Sequence, residues 1–137
     1  MSQPLQLTEL QLRILQALWE RGEAAVGDVH EELSRHRELT ASSVATLLGR
    51  LEKRGLVARQ PDGGRYLYRP LVSLDEVRAA MVGELTRLLF GGDSAALVAH
   101  LVASGGVRDP DRAYLRELFP PDRPLDLDAQ GPETPGA

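Results

Sequence analysis

The chain has 137 residues, 42% of them apolar and 4% aromatic, enough for one domain with a core or a small domain with an appendage. It has no cysteine, which excludes a disulfide framework, a thiolate metal site and a cysteine nucleophile, and no apolar run of the roughly 18 residues that a membrane helix needs. The net charge of −4 means that any role on nucleic acid must rest on a local patch, not on the whole surface.

The opening Met1-Ser2-Gln3-Pro4 has neither a basic start nor an apolar stretch, so no signal peptide is expected, and a cytoplasmic protein without membrane insertion is. The first helix is expected from Thr8, because Thr8 and Gln11 have capping-box spacing. Leu10, Ile14, Leu15 and Leu18 then make one apolar face, and Gly22 ends the segment. A second helix is expected from about Gly27 to His36, with Val29 and Leu33 inward and Glu31, Glu32 and Arg35 outward.

Thr40 caps a third helix that stops at Gly55. Val44, Leu47, Leu48 and Leu51 are its core face. Ser42, Ser43, Thr46, Gly49, Arg50 and Lys53 lie opposite, small and polar at first, basic towards the end. Beyond Gly55 the period changes to that of strands, 56–60 and 65–69, with Pro61-Asp62-Gly63-Gly64 as the turn between them. Three short helices and a hairpin, in that order, are the plan of a winged helix-turn-helix.

From Ser73 the pattern is helical again. Ser73 and Glu76 have capping-box spacing, and Leu74, Val77, Met81, Leu85 and Leu88 carry a stripe to about Phe90, where Gly91-Gly92-Asp93 breaks it. Two shorter helices are expected, from Ser94 to about Ala103 and from Asp109 or Pro110 to Phe119. Three thin helices bury little surface by themselves. Either they pack back on their own winged domain, or a second copy of the chain covers them, and the second reading is preferred. The tail 120–137 is proline-rich, has no apolar periodicity and is expected to be disordered. The fold class is therefore mainly α with a small β-hairpin wing. Its domains are a winged-helix DNA-binding domain (1–72), a helical three-helix dimerisation module (73–119) and the tail. The dimerisation residues are Val77, Met81, Leu85, Leu88, Leu97, Leu101, Leu115 and Leu118.

Charge is unevenly placed along this plan. Residues 40–70 hold six basic residues (Arg50, Lys53, Arg54, Arg59, Arg65, Arg69) against Glu52 and Asp62, whereas 73–137 hold six against eleven acids. A basic patch on an acidic protein suits local phosphate binding. In a helix-turn-helix the second helix of the pair enters the major groove, its N-terminal residues nearest the bases. That makes the third helix (40–54) the recognition helix and the hairpin (56–70) a wing on the flanking backbone. Ser42, Ser43 and Thr46 are small enough for close approach and can hydrogen-bond, and Arg50 is placed for a guanine edge or a phosphate. Lys53 and Arg54 suit phosphates, Thr40 opens the helix, and Arg65 stands where the turn meets the second strand. Gly49 fits either a close approach of DNA or simple tolerance. Tyr66 and Tyr68 share a face, one of them on the core.

Catalysis finds no support. His30, His36 and His100 lack metal-ligand spacing, and no glycine-rich phosphate loop is followed by a lysine, Lys53 being the sole lysine. No cofactor, metal or catalytic residue is expected. A winged helix used only for protein–protein interaction, without sequence-specific DNA binding, is the alternative; the polar-to-basic face of the third helix argues against it.

Several segments carry a family resemblance. They are Leu7-Thr8-Glu9-Leu10 leading to Leu18-Trp19, then Asp28-Val29-His30-Glu31-Glu32-Leu33, then Leu47 through Val57, and Gly64-Arg65-Tyr66-Leu67-Tyr68-Arg69-Pro70. With the Phe90-Gly91-Gly92 and Leu97-Val98-Ala99 stretch, they make the chain similar, over about residues 7 to 119, to the penicillinase-repressor (BlaI/MecI/CopY-type) family of winged-helix transcriptional regulators. The resemblance implies a homodimeric transcriptional repressor on palindromic double-stranded operator DNA. Ser42, Ser43, Thr46 and Arg50 match the family's recognition-helix contacts, and Arg65 its wing arginine. Copper-responsive members carry a cysteine motif absent here. Antibiotic-responsive members are released by a membrane sensor-protease system that cuts an Asn–Phe bond, to which His100–Leu101 corresponds.

Overall fold

The computed structural model describes residues 5–118, so Phe119 and the tail 120–137, with its expected disorder, lie outside the described residues. Helix α1 (Glu9–Arg21) starts where the capping pair predicts. The Gln11 N–H donates to the Thr8 hydroxyl at 3.1 Å, and the Thr8 N–H to the Gln11 side chain at 3.0 Å, satisfying two backbone donors that have no partner within the helix. Helix α2 (Val26–Ser34) begins before Gly27 and ends short of His36. Its start is set by Asp28, whose carboxylate accepts the Ala25 N–H at 3.1 Å. Helix α3 (Ala41–Lys53) is capped by Thr40 as expected, and the chain leaves it through Gly55 at φ +76°.

The hairpin is longer than its sequence suggests. Strand β1 (Val57–Asp62) pairs antiparallel with β2 (Arg65–Pro70), from Val57 opposite Pro70 to Asp62 opposite Arg65. Pro61 and Asp62, read as turn residues, lie within β1, and Gly63-Gly64 alone turns the chain. With φ at +54° and +88°, both have the left-handed backbone of a tight two-residue hairpin loop, which glycine adopts without a Cβ penalty. A further pairing has no sequence signature: Ala24 and Tyr68 exchange both backbone hydrogen bonds, at 2.9 and 2.8 Å.

One core holds the winged unit together. Ile14, Leu15 and Leu18 of α1, Val29 of α2, and Val44, Leu48 and Leu51 of α3 are fully buried with Val57 of the hairpin, and Tyr68 is buried beside them. Each large side chain removed from water stabilises the fold by about 1.5–3 kcal/mol before entropy is counted. Two polar ties set the edges of this unit. The Trp19 indole N–H donates to the Val72 carbonyl at 2.8 Å. His30 Nε2 lies 2.7 Å from the Leu39 carbonyl oxygen, and since a carbonyl only accepts, that nitrogen carries the proton. The histidine thus ties α2 to the residue before the α3 cap.

Helix α4 (Leu74–Phe90) opens on the expected box, with Ser73 and Glu76 exchanging bonds at 3.0 and 3.1 Å. The chain divides into two compact units between Met81 and Val82, so the first turns of α4 belong to the winged unit, beyond the boundary at 72/73 read from sequence. Val77 is 2% exposed within the single chain, and this corrects its assignment to a partner interface: it has almost no surface left to bury.

In the second unit, α5 (Ser94–Ala103) has the expected bounds and is capped by Asp93, whose side chain accepts the Ala96 N–H. Helix α6 (Asp109–Glu117) has Pro110 in its first turn and ends before Phe119. The core of this unit is small. Val102 is buried, with Ala95, Val98, Ala99, Val107 and Leu115 packed against it. Leu115 is therefore engaged within its own unit, and Met81 and Leu97 are half-buried. Leu85, Leu88, Leu101 and Leu118 are exposed, together with Val82, Leu89 and Tyr114, which were not expected in this group. No single helix among the described residues is long and apolar enough to cross a membrane.

Candidate nucleic-acid interface

Helix α3 separates core from candidate site by its period alone. Val44, Leu48 and Leu51 hold one side at zero exposure, so Ser42, Ser43, Thr46, Arg50 and Lys53, all exposed, must lie on the remaining surface. The structure thus brings most of the predicted contact residues onto one helix face. Arg54 is the C-cap and is also exposed.

The hydroxyls on this face differ in what they have free. The Thr40 hydroxyl accepts the Ser43 N–H at 3.1 Å and donates to Ser43 Oγ at 2.9 Å, so its proton is committed to the cap. Thr46 donates to the Ser42 carbonyl at 3.0 Å and offers an incoming ligand mainly an acceptor. Ser43 receives the Thr40 proton and keeps its own to give. Ser42 and Ser43 are therefore the better donors to a phosphate oxygen or a base acceptor.

The cations differ likewise. Arg50, Lys53 and Arg54 form no ion pair among the described residues, whereas Arg65 lies 3.6 Å from Asp62 across the hairpin turn and Arg59 lies 3.3 Å from Glu52. A phosphate can meet the first three without displacing a carboxylate. Arg65 is 58% exposed, and an exposed pair of this kind contributes about 0–1 kcal/mol, so it exchanges readily for a stronger anion. Arg59 is more firmly engaged. Its guanidinium carbon sits 4.3 Å from the centre of the Tyr66 ring, and its pKa is raised by a hydrogen bond to Tyr68 and then by the Glu52 carboxylate.

Of the two tyrosines on one face of the hairpin, Tyr68 is in the core and Tyr66 is exposed. Sequence reasoning counted Arg59 only as one charge in a patch. Its place opposite Tyr68 follows from the register, which depends on the turn being Gly63-Gly64.

Gly49 has nothing within 4 Å of where a Cβ would stand. Packing inside the protein therefore does not require glycine there. Gly49→Ala is expected to raise stability by about 1 kcal/mol, seen as a melting midpoint several degrees higher. An unchanged or lower midpoint would show that the free volume is not usable. Operator titration of the same variant reads how closely DNA approaches this turn of α3.

The sequence profile of the penicillinase repressor family matches residues 7–120. The transcriptional regulator BlaI of Mycobacterium tuberculosis is 34% identical over 122 residues, which cover 86% of this chain and 88% of that protein. The penicillinase repressor of Staphylococcus aureus is 19% identical over 106 residues, covering 77% and 84%. Among solved structures, the monomeric form of Bacillus licheniformis BlaI in complex with the blaP half-operator aligns at a TM-score of 0.47 and 22% identity, over 56% of this chain and 93% of that one.

Proposed function

The chain belongs to the penicillinase repressor family, and from that membership we propose that it represses transcription as a homodimer on a palindromic operator. It is a DNA-binding transcriptional repressor and not an enzyme. In this reading α3 of each copy enters the major groove, and the hairpin lies along the flanking backbone. The two α3 helices then meet half-sites about one duplex turn apart, roughly 34–36 Å, or a multiple of that. Repression follows from occupancy of promoter DNA, and the protein works where that DNA is, in the cytoplasm.

The observation that carries this reading is the exposed face of α3, with small hydroxyls at Ser42 and Ser43 and, among the described residues, unpaired cations at Arg50, Lys53 and Arg54. Ser42, Ser43, Thr46 and Arg50 are the proposed base-proximal contacts. Lys53, Arg54 and the wing's Arg65 are proposed on phosphates, and Thr40 supports them as the cap. Each phosphate engaged steepens the dependence of log affinity on log salt by about 0.9.

Titrating the purified chain against the DNA upstream of its own gene, at two salt concentrations with non-specific competitor, tests this directly. A discrete salt-sensitive complex is expected. Arg50→Ala should weaken it by about 1–3 kcal/mol with relaxed specificity at one base pair if the contact is to a base edge. If it reaches only a phosphate, all sequences should weaken alike and the salt slope should flatten. No discrete complex at either salt concentration would sink the reading.

Release by a membrane sensor-protease system is proposed at His100–Leu101. That bond lies inside α5, one residue before the buried Val102, so cutting it would also break the small core of the second unit. Mass spectrometry of chain recovered during derepression should show a fragment ending at His100; intact chain throughout would rule this release out.

A further inference from the structure

We propose that Arg59 is a positioning residue that sets the hairpin wing against the recognition helix, so that the wing's hold on flanking DNA depends on it. The proposal rests on the DNA-binding reading above and names a residue outside its contact set.

A two-stranded hairpin has little stability of its own, and every residue from Arg59 to Tyr66 is exposed. Val57 and Tyr68 anchor its base in the core, and beyond them no buried side chain fixes the direction of the tip. Arg59 stands at that boundary, opposite Tyr68 in the register. Its Nε is 3.3 Å from Glu52 Oε2, on the last turn of α3. Its guanidinium carbon lies over the Tyr66 ring on β2, 4.3 Å from the ring centre.

One side chain on β1 thus touches α3 and β2 together. A planar guanidinium can present an edge to a carboxylate and a face to a ring together, whereas an ammonium cannot reproduce both geometries. The Glu52 carboxylate also offsets its charge, so Arg59 contributes less to the basic field than a count of arginines implies.

Two measurements on the full-length chain test the proposal. The first compares the promoter duplex protected by the wild-type chain with the same duplex trimmed of its outer base pairs at both ends. Wild type should bind the longer duplex several-fold more tightly. Arg59→Lys and Arg59→Ala should lose that difference while keeping trimmed-duplex affinity within about twofold of wild type. Glu52→Gln separates positioning from charge, because removing an acid beside DNA should tighten binding to both duplexes if charge alone mattered. Positioning predicts that Glu52→Gln loses the advantage of the longer duplex.

The second measurement needs no DNA. The ¹⁵N heteronuclear NOE of the Gly63 and Gly64 amides should fall in Arg59→Lys, as the tip is freed. An unchanged NOE, a retained length advantage in Arg59→Lys, or equal weakening on both duplexes in Arg59→Ala would each overturn the proposal. If wild type bound neither duplex the DNA-binding reading would fail, and the NOE would still decide whether Arg59 holds the wing.

Discussion

A Leu88→Glu chain is expected to sediment as a folded monomer and to lose full-operator affinity by about 10²–10⁴-fold, the range that linking two binding modules supplies. The reason lies in the second unit, whose own core amounts to Val102 and a few half-buried neighbours. Leu88 is 62% exposed and Leu89 70% exposed, with Val82, Leu85, Leu101, Tyr114 and Leu118 also open to solvent. Few small units leave so many large apolar side chains in water without a partner to cover them. A second copy would bury them at about 1.5–3 kcal/mol for each side chain fully covered. A carboxylate in such an interface would face a desolvation cost of several kcal/mol.

Because Leu88 is exposed in the single chain, the substitution should leave helicity and half-site binding nearly unchanged. The loss should therefore be specific to the full palindrome. Leu85→Asp or Leu101→Asp should act in the same direction. Sedimentation equilibrium and a gel shift on full and half operators check all three. Dimers that persisted would place the interface elsewhere on the chain.

Leu48→Ala should destabilise the winged unit by about 2–5 kcal/mol, the usual cost of truncating a fully buried leucine. Leu48 is fully buried on α3, in one cluster with side chains of α1, α2 and the hairpin, so the cavity would lie beneath the recognition face itself. Against a typical total of about 5–15 kcal/mol, that loss should lower the melting midpoint by roughly 10 °C or more. Urea unfolding should show the midpoint displaced with an unchanged slope. Arg50→Ala provides the contrast: it should weaken operator binding with the melting curve unmoved. If Leu48→Ala left stability within about 1 kcal/mol of wild type, the site would have to collapse around the missing atoms to a degree rarely seen in well-packed cores.

The secondary structure was legible wherever the cause is local. Thr8 with Gln11, and Ser73 with Glu76, are separated by three residues, and their hydrogen bonds form within one helical turn whatever the rest of the chain does. The same holds for the α3 face, where Val44, Leu48 and Leu51 repeat at the helical period and leave Ser42, Ser43, Thr46 and Arg50 on the other side. The family resemblance drew only in part on these, through Leu7-Thr8-Glu9-Leu10 and Leu47 to Val57, and the family match confirmed it. Val82 and Leu89 were within reach too, since 82, 85 and 89 repeat at helical spacing. The stripe through 81, 85 and 88 competes with it on a helix that is apolar around much of its surface.

The tertiary structure decided what depends on residues far apart in sequence. Ala24 pairs with Tyr68 because the core brings them together, and a single-residue bridge has no alternation to announce it. The turn at Gly63-Gly64 set a register that places Arg59 opposite Tyr68, against Glu52 and over the Tyr66 ring. Trp19 and Val72, 53 residues apart in sequence, tie α1 to the approach of α4, and Val77 proved to be buried in the single chain. By itself the sequence determined which segments are helix or hairpin and which face of α3 is free, because capping and periodicity act within a turn or two. Only the fold decided which of those side chains are already spent on the protein and which remain for DNA or a second copy, because burial and ion pairing depend on neighbours that chain order does not reveal.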